Sequence, residues 1–396
     1  SGAGVRMMEL IHLFLEQQWD VTFVSPAAQS EHMADLAALG IVSIAIEVNN
    51  SAFDSFAARL APDLVIFDRF MMEEQFGWRI EKHCPYAMRM LDTIDLHLLR
   101  HARHQALKKN REMASFDLYS DIAKREIASI YRSDLSLLTS SHEMKLSQDQ
   151  FSIPESLLHH VPFMIDAAKI ANPAPTFQER QHFISIGNFR HAPNWDAVLW
   201  LKETIWPLIR KQLPQAELHI YGSYPPKKAT ALHKPEHGFH VTGWADDAVE
   251  VMQQARLNLA PLRFGAGIKG KLADAMLAGT PSITTSIGAE GMTAGRPWCG
   301  SIEDDPEAFA KAAVKLYQGK KAWEEKQKYC FNIISQLFNK KSISDSLVKR
   351  IHELNENLET HRQRNFIGSM LRHHQHRSTE FMSRWIECKN QLKPER

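Results

Sequence analysis

Cysteine is scarce in this 396-residue chain, and the four present form no framework. Cys84, Cys299, Cys330 and Cys388 stand far apart, without the paired spacing of a metal or redox motif. That usage suits a reducing compartment, where disulfides do not persist, so the expected location is cytoplasmic. Net charge is nearly absent too: 47 Lys and Arg against 46 Asp and Glu leave +1. With no broad field of one sign, nucleic acid is not an expected partner, and any basic site has to be local. No apolar run approaches the ~20 residues of a membrane-spanning helix, and the opening residues do not read as a signal peptide. Peripheral membrane contact stays open.

What is present is globular: 44% hydrophobic and 23% charged residues. A chain of this length exceeds one ordinary core, so two domains with trimmings are expected. The pattern predicts strands over 19–25, 41–48, 64–67, 86–91, 135–139 and 160–165, with helices over 30–39, 53–60, 96–114 and 117–131. Strands separated by helical patterns indicate a mainly parallel sheet covered by helices. A segment with two prolines and little periodicity, 166–180, reads as a linker. The alternation then restarts, with strands over 182–186, 217–221, 239–242, 257–262 and 282–285, and helices over 195–212, 247–255 and 269–278. The α/β class follows, as two doubly wound Rossmann-like domains facing across a cleft. The expected division is 1–165, a linker 166–180, a second domain 181–340 and a helical extension 341–396 packing back on both. Gly2-Ala3-Gly4 runs straight into a helical pattern (Val5, Met8, Leu10, Ile11, Leu13). Glycine turns of this kind usually follow a strand, so a strand ahead of them is expected.

The most informative stretch is Gly265-Ala266-Gly267-Ile268-Lys269-Gly270-Lys271, between an apolar strand and a helix. Such a loop leaves backbone N–H groups and a positive helix end bare, which is how proteins hold phosphates. Lys269 and Lys271 add full charge. Lysine at a helix start is disfavoured unless an anion is near, so phosphate binding outweighs a solvated helix start. Asp274, one turn on, can accept hydrogen bonds from a ribose. A nucleoside diphosphate is the natural ligand. Glu290 stands in a glycine-flanked turn (Gly288-Ala289-Glu290-Gly291) suited to close ligand approach, with a surface turn as the alternative. In the first half, Asp92, Asp95 and His97 follow the 86–91 strand, where catalytic groups collect in this architecture; helix capping by Asp95 is an equal alternative. His97, His101 and His104, and the cluster His373, His374 and His376, invite a metal reading. A polar helix face is favoured over it, because no ligand motif accompanies them. Trp195, Trp200 and Trp206 read as packing residues.

These pieces, in this order, resemble the retaining nucleotide-sugar glycosyltransferases of the GT-B fold, and among them the large family 4 of the glycosyltransferases. Gly2-Ala3-Gly4-Val5-Arg6 is similar to the family's N-terminal glycine loop, implying roles for Gly2 and Gly4 at the donor phosphate. Gly187-Asn188-Phe189-Arg190 is similar to the loop after the first strand of the donor domain, and Gly222 to a later strand end. The 261–281 stretch, with Gly265, Gly267, Lys269, Lys271 and Asp274, and the turn with Gly288 and Glu290 are similar to the diphosphate and ribose region. The family's two glutamates separated by seven residues are Ala266 and Asp274 here. The resemblance implies transfer of a sugar from a UDP- or GDP-type donor, with retention of anomeric configuration and no required metal or other cofactor. The catalytic candidates are Asp92, Asp95, His97, Lys269 and Glu290, and the acceptor is a sugar, a lipid-linked group or a protein. A nucleotide-sugar epimerase and an inactive nucleotide-sugar-binding scaffold are the alternatives.

Overall fold

Apolar runs bounded by turn residues become parallel strands here because both sheet faces are covered by helices. The computed structural model describes residues 2–28 and 33–392. Its strands are β1 Thr22–Ser25, β2 Val42–Ala45, β3 Leu64–Asp68, β4 Met88–Asp92, β5 Leu135–Leu138, β6 Leu158–His160, β7 Gln181–Ile186, β8 Leu218–Tyr221, β9 Phe239–Gly243, β10 Ala255–Ala260, β11 Ser282–Thr284 and β12 Gly300–Ile302. They form a two-stranded sheet β1-β2, a four-stranded sheet β3-β4-β5-β6 and a six-stranded sheet β12-β11-β10-β7-β8-β9. Every one of these strand pairings is parallel. This is the α/β architecture expected from the alternation.

Several elements differ from expectation. Helices Phe70–His83 and Ser141–Phe151 are additional. The first hides its amphipathic pattern by burying Glu73 and Arg79 among Phe70, Phe76 and Ile80. The last strand of the four-stranded sheet ends at His160, upstream of the predicted 160–165, because Pro162 has no N–H to give a ladder. Edge strand β12 is also additional. The 195–212 helix begins at Ala192 and passes through a wider π turn, Leu201–Ile205, before Pro207. That turn accommodates a residue that cannot donate to the helical ladder. Of the predicted helix 30–39, residues 30–32 lie outside the described residues, and 37–39 form a single 3₁₀ turn. Ser1 lies outside them as well, as does the side chain of His376.

Two features hold the chain's ends to its sheets. Helix Gly2–Glu16 packs Leu10, Leu13 and Phe14 into one core with Met88, Met90, Leu135 and Leu137, joined by Leu347, Ile351 and Leu354 from helix Lys340–Glu356. Further along, Arg362 donates from Nε and Nη2 to both oxygens of buried Asp134, at 2.8 Å each. The segment between the two large sheets ends firmly: Arg180 is fully buried and donates to Thr280 Oγ1 (2.6 Å) and the Ala278 carbonyl (2.6 Å).

Candidate active site

After β10 the chain turns through Gly265 and Gly267 before helix Gly270–Leu277 begins. Lys269 occupies the N-cap position and its side chain caps no amide. The Lys269 ammonium instead donates to the Gly267 carbonyl at 2.7 Å, and the Lys271 ammonium to Asn194 Oδ1 at 2.8 Å. Lys271 Nζ also lies beside Gly187, where a Cβ would meet it at 2.8 Å. The loop after β7 and the loop after β10 therefore share this ammonium group. Burial pushes both lysines down to about 8. Among the described residues no carboxylate forms an ion pair with either. Glu290, Glu143 and Asp95 offset part of the burial cost at Lys269 from beyond ion-pair distance, whereas burial is the whole cause at Lys271, so an anion joining the two ammonium groups is favoured.

The start of helix Gly2–Glu16 meets the same place. A Cβ on Gly270 would come 3.9 Å from Gly2 Cα and 3.5 Å from the Phe163 ring. Two helix N-termini converge there, adding partial positive charge. Gly4 lies in the same first turn. Asp274, on the helix of the lysines, has its carboxyl pushed up to about 7, by burial first and then by Asp247. Glu9, on the N-terminal helix, is likewise pushed up to about 7, chiefly by burial, and Asp274 adds to the shift.

The carboxylates expected from the first half are engaged by arginines. Asp92 is fully buried and receives Arg6 Nε on both oxygens, at 2.8 and 3.0 Å. Burial pushes its carboxyl up and the Arg6 guanidinium opposes the shift. Arg6 Nη1 also donates to the Val161 carbonyl at 2.7 Å. Asp92 thus anchors the N-terminal helix to the end of β4 and has no free face for a substrate. Asp95 is bonded to Arg100 and lies 3.5 Å from His97 Nε2. It caps no helix: Glu126 accepts from the His97 and Leu98 amides instead, at 2.9 and 2.8 Å. Burial lowers His97 to about 4, so its imidazole is neutral at pH 7.

Glu290 and the glycine loop meet the first half directly. Arg103 donates to both Glu290 oxygens (2.9 and 2.6 Å) and to the Gly265 carbonyl (2.9 Å). Buried Glu143 accepts the Gly267 amide at 2.6 Å and the Leu96 amide at 3.1 Å. Gly267 has a positive φ of 66°, and a Cβ there would lie 2.8 Å from Asp95 Cβ. This corrects the sequence reading of Gly267: its open space is filled by the opposite half of the protein. Gly265 has nothing within 4 Å of a Cβ. Gly222 and Gly288 are likewise packing glycines, since a Cβ would collide with the Gly187 carbonyl (2.1 Å) and Thr284 Oγ1 (1.9 Å). Asn188 spends its side chain on the Arg190 amide (2.8 Å), and exposed Arg190 stacks 3.8 Å from the Tyr224 ring. Sequence reasoning missed Arg103, Glu143 and Asn194 as site residues. Arg103 shares a helix with His97 and Arg100, a signal that was available; nothing local marks Glu143.

Trp206 is buried and donates to the His237 carbonyl (2.8 Å), while Trp195 and Trp200 pack against the same core. No helix among the described residues is long and apolar enough to cross a membrane.

Comparison with known proteins fits this geometry. Residues 180–319 match the family described as Glycosyl transferases group 1. A Klebsiella pneumoniae relative, an uncharacterized 44.6 kDa protein in the cps region, is 25% identical over 171 residues, 41% of this chain and 44% of that protein. The match therefore spans less than half the length of that relative. Among solved structures, a glycosyltransferase from Rickettsia africae superposes with a TM-score of 0.66 at 10% identity, covering 90% of this chain and 95% of the other. Anabaena HepE in complex with UDP and glucose gives 0.64 at 12%, covering 89% and 96%. The pneumococcal O-GlcNAc transferase GtfA, in complex with UDP and GlcNAc, gives 0.57 at 17%, covering 76% and 59%. Residues 180–319 are thus similar to the glycosyl transferases group 1 family, and the chain has the GT-B fold of these solved glycosyltransferases.

Proposed function

We propose that this protein transfers a sugar from a nucleoside diphosphate sugar to an acceptor bound on the N-terminal side of the cleft. The observation that carries the reading is buried Lys269 beside half-buried Lys271, neither ion-paired with a carboxylate among the described residues, where two helix N-termini converge. A diphosphate supplies the missing negative charge. As the sugar–phosphate bond breaks, charge develops on the leaving oxygen, and fixed cations in a water-poor site stabilise it without reorganising. Lys269 and Lys271 are the electrophilic groups, Gly2, Gly4 and Gly187 admit the phosphates closely, and Asp274 accepts from the ribose hydroxyls. Asp95 and His97 face the acceptor, His97 as a neutral hydrogen-bonding group. Glu290, held by Arg103, orients the donor from the facing turn.

UDP is the nucleotide this reading favours, because HepE and GtfA are bound to UDP in their solved structures. Retention of configuration follows from the family resemblance, as does chemistry that needs no metal. The family match favours transfer over epimerisation, which gains support from neither comparison. Incubation with UDP- and GDP-sugars tests the reading: acceptor-dependent release of free nucleotide is expected. A changed sugar with no release would indicate an epimerase, and tight binding with neither outcome a scaffold.

A further inference from the structure

The far edge of the six-stranded sheet carries a group of side chains that sugar transfer does not use. His219 on β8 and His240 on β9 are paired residues in the parallel register, so their side chains leave the same sheet face side by side. Glu217 precedes His219 by two residues and shares that face. Glu217 Oε2 lies 3.0 Å from His219 Nε2, and Glu217 Oε1 lies 3.9 Å from His240 Nε2. The three ligand atoms fall within 4.8 Å of one another, and theirs is the one such group among the described residues. Ligands about 2.0–2.2 Å from a tetrahedral ion sit roughly 3.3–3.5 Å apart, a spacing bracketed by the two shorter separations.

A second observation points the same way. His240 Nε2 is buried and has no hydrogen-bond partner. A buried ring nitrogen left unmatched needs an explanation, and an ion between it and Glu217 gives one. His182, from β7, stacks on the other side of His219 with ring centroids 4.0 Å apart and planes 14° from parallel. That stacking fixes the His219 ring. Beyond His240, His233 spends its Nδ1 accepting the Val241 amide at 3.1 Å. Glu217 is half-exposed, so an ion reaches the site from solvent.

We propose that Glu217, His219 and His240 bind a divalent transition metal of the zinc class, with water in the fourth position. The site lies toward the amino ends of β8 and β9, whereas Gly187 and Lys271 meet at the carboxyl ends of the strands. It is therefore a structural clamp. β9 is the outermost strand of its sheet, and one metal ion joins it to β8 through side chains as well as through the ladder.

The test uses the full chain without added affinity histidines, stripped with chelator and titrated calorimetrically with zinc chloride. One saturable equivalent is expected, with Tm rising as zinc is added. His219→Gln and His240→Gln should each weaken binding by at least about tenfold. Glu217→Gln, a half-exposed position that endangers folding least, should weaken it similarly. The paired change His373→Gln and His374→Gln should leave it untouched. With Co2+ as the probe, the visible absorption of a tetrahedral site is expected for the native chain and lost in Glu217→Gln. Absence of stoichiometric binding would overturn the proposal, as would binding unaltered by the His219 and His240 substitutions.

Discussion

Two groups of charged side chains, one in each half of the chain, have opposite fates. On the N-terminal side, Asp92 with Arg6, Glu73 with Arg132 and Asp134 with Arg362 are closed pairs, each carboxylate met by a guanidinium. On the C-terminal side, Lys269 is buried against a carbonyl, Lys271 is half-buried against an amide oxygen, and Asp274 is a carboxyl pushed upward. A carboxylate met by a guanidinium holds structure; charges without such a partner are candidates for a ligand. On this contrast rests the proposal that Asp92 anchors the N-terminal helix and that the lysine loop binds the donor.

The sharpest way to break that contrast is to open a closed pair. Arg6→Ala leaves Asp92 buried and alone, and should cost about 3–5 kcal/mol of stability, read by urea denaturation. A loss below 1 kcal/mol would contradict the anchoring role. The matching change on the open side is Lys271→Ala. It should leave the stability of the free protein unchanged or raised, while UDP affinity falls by about 1.5–3 kcal/mol in calorimetry. Proton linkage sharpens the point. Both lysines lie near 8 when free, and a diphosphate restores their ordinary basicity. At pH 8.5, UDP binding should therefore take up protons, seen as an enthalpy that depends on the buffer, and affinity should decline as pH rises above 8.

Glu143 tests the seam between the halves. Its carboxyl is pushed up to about 7 from an ordinary 4.5, chiefly by burial and then by Asp95. Between those values the folded state holds more protons than the unfolded state, so this group's contribution is full at low pH and lost as pH rises through 7. Glu143→Gln still accepts from the Gly267 amide and cannot ionise. Its stability advantage over the native protein should grow between pH 5 and pH 8 by on the order of 2–3 kcal/mol, read by urea denaturation. The smallest effect belongs to Arg103→Ala, which removes the bridge to Glu290. A stability loss of about 1–2 kcal/mol is expected for this largely buried pair, with a larger radius of gyration by solution scattering as the halves separate.

How much was legible beforehand depended on sequence distance. The lysine loop could be read because its glycines, its charges and the helix they precede are consecutive, and a local pattern reports local backbone. The roles of Asp92, Glu143 and Gly267 could not. Their partners lie 86 and 124 residues away along the chain, as Arg6 to Asp92 and Glu143 to Gly267. Likewise, Glu217 and His219 stand two residues apart in the sequence, but their nearness to His240 exists only through the register of β8 and β9. Helix Phe70–His83 escaped notice because the buried Glu73 and Arg79 interrupt its apolar stripe, and Glu73 is matched by Arg132, which no window of sequence contains.

The sequence by itself determined the alternation of strand and helix, the parallel α/β class and the position of a cationic glycine loop at a helix start. These follow from backbone preferences and side-chain period, which act over a few residues. Only the tertiary structure decided which buried charges are neutralised within the protein and which are left open. Burial raises the cost of every charge, but whether a partner meets it depends on segments brought together by the fold.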